Sequence, residues 1–113
     1  ARADWTDTEA LIPPDTACLV MTTLPSISAK TNAKRLRAQA HLSQAVHASG
    51  RCAFVSGLTP ETRKTFEGNA RLFRTNSSGR VTDGNHPTTK STQLFLRLRK
   101  PALCAALSRI LSD

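Results

Sequence analysis

A chain of 113 residues is long enough to form one domain around a single hydrophobic core. It carries 16 Lys and Arg against 8 Asp and Glu, a net charge of +8 that favours contact with polyanions, above all RNA. No apolar run approaches the roughly 20 residues that cross a bilayer. No GxGxxG, GxxxxGKS/T or HExxH motif supports nucleotide binding or metalloprotease activity.

The charge is divided unevenly along the chain. Residues 1–15 hold four acids and one Arg, a net charge of −3, so the other residues must carry +11 to reach the total of +8. Small polar and acidic residues ending in Pro13-Pro14 predict an extended arm over residues 1–16, followed by one basic domain over residues 17–113. We expect Trp5 to anchor the arm on its own domain and the acidic arm to contact a neighbouring protein.

Two short apolar segments, residues 17–23 and 51–56, have the composition of strands buried on both faces. Between them, residues 29–48 contain no Pro or Gly, follow a capping serine and end before Gly50, which predicts the longest helix. Strand, helix and strand together predict a βαβ unit with two parallel strands.

The next segment predicts a short helix and two more strands. Thr59-Pro60-Glu61 is typical of a helix start, because the hydroxyl caps, Pro fits the first turn and the acid favours the helix dipole. Residues 70–75 and 80–82 predict strands on either side of a turn at residues 76–79. Residues 83–90 predict a mobile polar loop.

Towards the end of the chain, residues 93–99 alternate between Leu and other residues, which predicts a strand. Pro101 predicts the start of a last helix. The resulting order is β-α-β-α-β-(β)-β-α in the α/β class, with α+β as the alternative. We expect a two-layer sandwich with a mixed sheet.

The predicted order, with Gly50-Arg51 between the long helix and the second strand, resembles the C-terminal domain of bacterial initiation factor three. The resemblance is one of topology and covers residues 17–100. It implies a ribosomal or other ribonucleoprotein setting and assigns no site residue.

A basic stripe lies on the predicted long helix. Lys30, Lys34, Arg37 and His41 follow one another at spacings of four, three and four residues, which places them on one helix face. A solvated helix face is the alternative interpretation. The absence of any acid between residues 16 and 60 favours phosphate contact, because a solubilising face usually mixes both signs.

A second basic surface is predicted on the last strand, where Phe95 alternates with arginines. Rings and guanidinium groups together are typical of surfaces that stack RNA bases and bind phosphates. Burial of Phe95 beneath a helix is the alternative. The basic, turn-rich segment 71–100 is a third candidate, with an ordinary loop as its alternative. The predicted RNA-binding residues are Lys30, Lys34, Arg35, Arg37, Arg71, Arg74, Phe95, Arg97, Arg99 and Lys100.

The three cysteines, Cys18, Cys52 and Cys104, lie far apart and lack the spacing of a zinc site. Their odd number suggests free thiols in a reducing compartment, either the cytoplasm or an organelle matrix such as that of mitochondria. A start at Ala1 is consistent with removal of an upstream transit peptide. We predict no metal and no cofactor.

No catalytic constellation is predicted around His41, His47 or His86. The sequence therefore predicts a non-enzymatic, RNA-binding structural component of a ribosome or another ribonucleoprotein assembly. Two alternatives stay open. One is a small basic ribonuclease of the toxin kind that uses His47 or His86. The other is an accessory scaffold subunit of a protein complex.

Overall fold

The computed structural model describes residues 2–112, with side chains from Asp4 onward, as a two-stranded sheet surrounded by helices. In chain order the elements are α1 (Arg2–Glu9), β1 (Leu19–Met21), α2 (Ala29–Ser49), β2 (Ala53–Val55), α3 (Pro60–Phe66), a short 3-10 helix (Ala70–Leu72) and α4 (Thr89–Leu111). The mixed α/β class is confirmed. The larger mixed sheet is wrong, since the described residues form only two strands.

The two strands are parallel and α2 connects them. α2 begins at the predicted cap, because the Ser28 hydroxyl accepts the Thr31 N–H at 3.2 Å. It ends at Gly50, whose φ of 68° suits only glycine well and whose N–H reaches the Val46 carbonyl at 3.3 Å. Local capping signals therefore determine both ends of the longest predicted helix.

A disulfide joins Cys18 and Cys52, whose sulfur atoms lie 2.07 Å apart. The prediction of free thiols is wrong for these two residues and holds for Cys104, which is free and exposed. The two bonded cysteines are 34 positions apart in sequence. Each directly precedes a strand, so parallel pairing brings them side by side. The disulfide fits an oxidising compartment better than the reducing one that we expected.

The predicted extended arm is wrong, because Arg2–Glu9 form the helix α1. Its Trp5 is 5% exposed and packs on the domain as predicted. The indole Nε1 donates a hydrogen bond of 3.2 Å to the hydroxyl of Ser49 at the end of α2. Burial of so large a ring favours a docked helix over a free arm.

α4 replaces both the predicted strand 93–99 and the helix expected to start at Pro101. The helix begins after Thr88, whose hydroxyl accepts the Ser91 N–H at 3.2 Å. It continues through Pro101, which is exposed, so the ring that interrupts the backbone hydrogen bonding faces solvent.

The face of α4 that packs on the protein has a helical period. Its covered positions recur at intervals of three or four residues: Ser91, Phe95, Leu98, Ala102 and Ala106. Leu96, which the strand prediction placed beside Leu94 and Leu98, is 45% exposed. The alternation of leucines is therefore a coincidence within a longer helical pattern.

The segment before α4 is a packed connection with little regular structure. The predicted strands at residues 70–75 and 80–82 are wrong, because only isolated bridges form, Phe73 with Pro87 and Thr75 with Val81. The predicted loop 83–90 is docked on the protein through Gly84, which is buried and accepts the Ile27 N–H at 2.9 Å.

Two hydrophobic clusters lie on opposite faces of the sheet. Val20 packs in one cluster and Met21 in the other, and successive residues of a strand point to opposite faces. The first cluster, on the side of α1 and α2, is built on Trp5, Ala45, Val46 and Cys52. The second, the phenylalanine cluster, is built on Phe66, Phe73 and Phe95. Helices therefore cover both faces of the small sheet.

Candidate nucleic-acid interface

The outward face of α2 carries a row of basic side chains. Lys30, Lys34, Arg37 and His41 are all exposed, and none of them has an acidic partner among the described side chains. At 1.5 Å per residue, the row extends over roughly 16 Å of helix. We call Lys30, Lys34 and Arg37 the α2 stripe. It is an uncompensated cationic surface on a rigid element.

Arg35 does not belong to this row. It is half-buried on the inner side of α2, and its guanidinium donates to the Asn85 side-chain oxygen at 3.2 Å. A longer contact of 3.5 Å reaches the Leu24 carbonyl. Arg35 therefore ties α2 to two loops and is less available to RNA than the α2 stripe.

The basic residues of α4 do not share the single face that the strand prediction gave them. Residues two positions apart on a helix point in nearly opposite directions, which separates Arg97 from Arg99. Arg97 and Lys100 are exposed. Arg99 is half-buried, and its Nε donates to the Ser56 carbonyl after β2 at 2.9 Å.

Phe95 is removed from the predicted RNA surface by its burial. The ring is 5% exposed and meets Phe66 edge-on, with a centroid distance of 6.4 Å. A ring enclosed in this way has no free face on which a base can stack. The interpretation of Phe95 as a core residue, which the sequence left open, is the one that the structure supports.

The two remaining predicted residues, Arg71 and Arg74, are exposed near the turn-rich connection. The Arg74 Nε donates to the Pro87 carbonyl at 3.3 Å, which helps to hold the two sides of that connection together. Since α2 and α4 cover opposite faces of the sheet, the predicted residues form separate surfaces, of which the α2 stripe is the most regular.

At the carboxyl ends of the parallel strands, where α/β proteins usually bind ligands, the protein's own side chains form hydrogen bonds with one another. The side chain of Gln39 accepts a hydrogen bond of 2.7 Å from the Thr22 hydroxyl and donates one of 2.7 Å to the Ser56 hydroxyl. Gly57 fits because a Cβ there would lie 2.3 Å from the Thr23 carbonyl oxygen. The polar groups at this edge are therefore paired within the protein, and a cavity of about 240 Å³ lies beside them, lined by Thr22, Thr23 and Gln39 among others.

A second polar network joins α2 to α3. The side chain of Asn32 is fully buried and donates to the Ser26 carbonyl at 2.8 Å and to Glu67 Oε2 at 3.0 Å. Arg63 Nε reaches the same Glu67 oxygen at 2.7 Å. Burial raises the pKa of Glu67, but the hydrogen bonds from Arg63 and Asn32 and the charge of Arg63 outweigh it and leave the pKa below its usual value.

The dependence of the unfolding free energy on pH, measured below neutral pH, tests this network. Since the pKa of Glu67 is lower in the folded chain, its stabilising effect is complete above the unfolded value of about 4.3 and is lost as pH falls through the folded value. We expect the unfolding free energy, measured by urea denaturation, to fall less between about pH 5 and pH 3 in Glu67→Gln than in the unmodified chain. Glu61→Gln, at an exposed carboxylate, is the control. An acid loss as steep in Glu67→Gln as in the unmodified chain would contradict this expectation.

One histidine has an acidic partner that the sequence analysis missed, although the two residues lie only three positions apart. Nδ1 of His86 lies 2.5 Å from Asp83 Oδ2, and both side chains are exposed. Asp83 also accepts a hydrogen bond of 2.8 Å from the backbone N–H of Asn85. This bond, together with the hydrogen bond and charge of His86, lowers the pKa of Asp83. The pair folds the loop before α4. Nδ1 of His47 lies 3.5 Å from the Ser43 hydroxyl, its one hydrogen-bond partner among the described residues.

No group of three or more His, Cys, Asp or Glu side chains that could hold a metal ion occurs among the described residues. Within residues 2–112, no helix is long and apolar enough to cross a membrane. No protein-family model, curated protein or solved structure matches the chain.

Proposed function

We propose that the chain is a non-enzymatic RNA-binding component of a larger assembly and that α2 is its main contact with phosphates. The observation that carries the proposal is the α2 stripe, three exposed cations on one helix face without acidic partners among the described side chains. A helix presents such a row at fixed spacing, so binding costs little reordering of the backbone. Arg97 and Lys100 on α4 are the second, separate contact in this proposal.

The acidic helix α1 lies beside α2 and is the part of the chain that we assign to a protein neighbour. Asp4 and Asp7 are exposed, whereas Trp5 on the same helix is buried against α2. An RNA strand would avoid the acids, while a basic protein partner would be attracted to them. The acidic residues of α1 and the α2 stripe therefore suit different partners.

The salt dependence of RNA binding tests the phosphate contact. We expect replacement of Lys30, Lys34 and Arg37 by Gln to reduce the slope of log affinity against log salt for oligouridylate by about 2, because each phosphate contact contributes about 0.7. The measurement is a fluorescence anisotropy titration between about 50 and 200 mM salt.

The matched control replaces Lys64, Arg80 and Lys90 by Gln. These three cations are exposed and lie outside the proposed surfaces. Their replacement removes the same amount of positive charge as the α2 variant. We expect the control to change the slope by less than about 1, because it loses only long-range attraction. Equal losses in both triple variants would reduce the effect to net charge and overturn the assignment to α2.

A sulfated polysaccharide is the second candidate ligand, and the Cys18–Cys52 disulfide is the observation that favours it. Disulfides persist in oxidising compartments, where acidic polysaccharides are common polyanions. The same titrations with heparin fragments in place of oligouridylate separate the two candidates. Tighter binding of heparin than of RNA at equal anionic charge would favour the second.

A further inference from the structure

A cleft of about 430 Å³ lies between β2 and α4. Phe54 and Ser56 line it on the side of the strand, and Ala102 and Ala105 line it on the side of the helix. Larger side chains at the two alanine positions would fill the space between the helix and the strand edge. The cleft is therefore a consequence of small residues on a helix that packs beside an open strand.

The edge of β2 that faces away from β1 is unpaired. On the inner edge, the Ala53 N–H reaches the Cys18 carbonyl at 3.0 Å, and the Val55 carbonyl accepts the Thr22 N–H at 3.1 Å. In a parallel pair, the residue between two such positions points its N–H and C=O to the other side. These groups of Phe54 have no hydrogen-bond partner in the described part of the chain. They offer a donor and an acceptor to an incoming strand.

Two arginines of α4 flank this edge. Arg99 and Arg109 both line the cleft and have no acidic partner among the described side chains. The Nε of Arg99 is held by the Ser56 carbonyl at 2.9 Å, so its terminal nitrogens are fixed in direction. Ten helical residues extend over about 15 Å, the length of four or five residues of extended chain.

We propose that the open edge of β2 binds an extended acidic peptide segment of a protein partner as a third strand. Backbone hydrogen bonds to Phe54 give the segment its register. Two carboxylates four residues apart, which lie on the same face of an extended strand, pair with Arg99 and Arg109. A small anion satisfies the arginines alone and leaves the N–H and C=O of Phe54 unpaired. The site is independent of the α2 stripe, so neither proposal rests on the other.

A synthetic peptide tests the site directly. The probe is a blocked peptide of about five residues with Glu at both ends and Val and Thr between them, so that the two carboxylates are four positions apart on one face of the strand. We expect the Phe54 amide, which has no hydrogen-bond partner in the described part of the chain, to become protected from hydrogen exchange when the peptide binds. N-methylation of the central peptide amides is expected to weaken binding at least tenfold.

Substitutions on α4 separate the site from general charge. We expect Arg109→Gln, at an exposed position, to weaken peptide binding about fivefold. We expect the double variant Arg99→Gln/Arg109→Gln to weaken it at least twentyfold. The matched control, Arg97→Gln/Lys100→Gln, removes two exposed charges from the same helix and is expected to change affinity less than threefold. Circular dichroism checks that each variant is folded, and Arg109→Gln alone decides the question if the double variant is not.

Four outcomes would overturn the proposal. Equal losses in the control would mean that only net charge matters, and unchanged binding of the N-methylated peptide would mean that no strand is added. Competition by free glutarate at the peptide's own affinity would identify a small-anion site. A concentration-dependent dimer that the peptide dissociates would instead identify a second copy of the chain as the occupant.

Discussion

Removing the Cys18–Cys52 disulfide is expected to lower the free energy of unfolding by about 4 kcal/mol. The bond closes a loop in which the two cysteines are 34 positions apart, and it restricts the unfolded chain more than the folded one. Without it, the unfolded state gains entropy while the βαβ unit gains nothing. Urea denaturation of the double variant Cys18→Ala/Cys52→Ala against the oxidised chain measures the difference.

Cys104 supplies the control for this experiment. It is exposed and free, so Cys104→Ala is expected to change the unfolding free energy by less than about 0.5 kcal/mol. If the double variant also stayed within about 1 kcal/mol of the oxidised chain, the disulfide would contribute little to the stability of the fold.

Replacing Phe95 by Ala is expected to lower the free energy of unfolding by about 4 kcal/mol and to leave the RNA affinity of the folded protein unchanged. The ring lies in the phenylalanine cluster, where it packs edge-on against Phe66, so its loss opens a cavity in the core. Thermal or urea denaturation gives the first quantity, and anisotropy titration of the folded fraction gives the second.

The adjacent residue of α4 is a suitable reference for the Phe95 experiment. Leu96 is 45% exposed, and Leu96→Ala is expected to cost less than about 1 kcal/mol. A Phe95→Ala variant that kept its stability and lost RNA affinity would instead support the base-stacking role of Phe95 that was predicted from the sequence. The two measurements together therefore distinguish a core ring from a binding ring.

Helices with strong local signals could be predicted from the sequence almost to the residue. α2 lies between the serine that caps it and Gly50, and α3 starts at Thr59-Pro60, where the Thr59 hydroxyl accepts the Thr62 N–H at 3.1 Å. These ends depend on side chains within a few positions of each other. No knowledge of the tertiary structure is needed to recognise them.

α4 could not be predicted from the same kind of reasoning. Its leucines at positions 94, 96 and 98 match a strand over seven residues, and the helical period becomes visible only when Ala102 and Ala106 are included. Pro101 strengthened the error, since it more often starts a helix than continues one. Packing of the whole helix on the sheet outweighs the cost of this proline.

The candidate site divides in the same way. The α2 stripe follows from helical spacing alone, so the structure places Lys30, Lys34 and Arg37 together on the exposed face. The second predicted surface, with Phe95, Arg97 and Arg99 on one face, depended on a strand that is a helix in the structure. The three residues therefore do not share a face. The disulfide was missed for another reason, because two cysteines far apart in sequence become neighbours only when the parallel strands pair.

The disulfide also has a mechanical consequence. It closes residues 18–52, which include β1 and all of α2, into a covalent ring. A force applied to the two ends of the chain is transmitted across the sulfur atoms and does not stretch this ring. Roughly 110 Å of chain is thereby excluded from extension. The basic helix α2 therefore carries no load when the protein is pulled by the two ends of the chain.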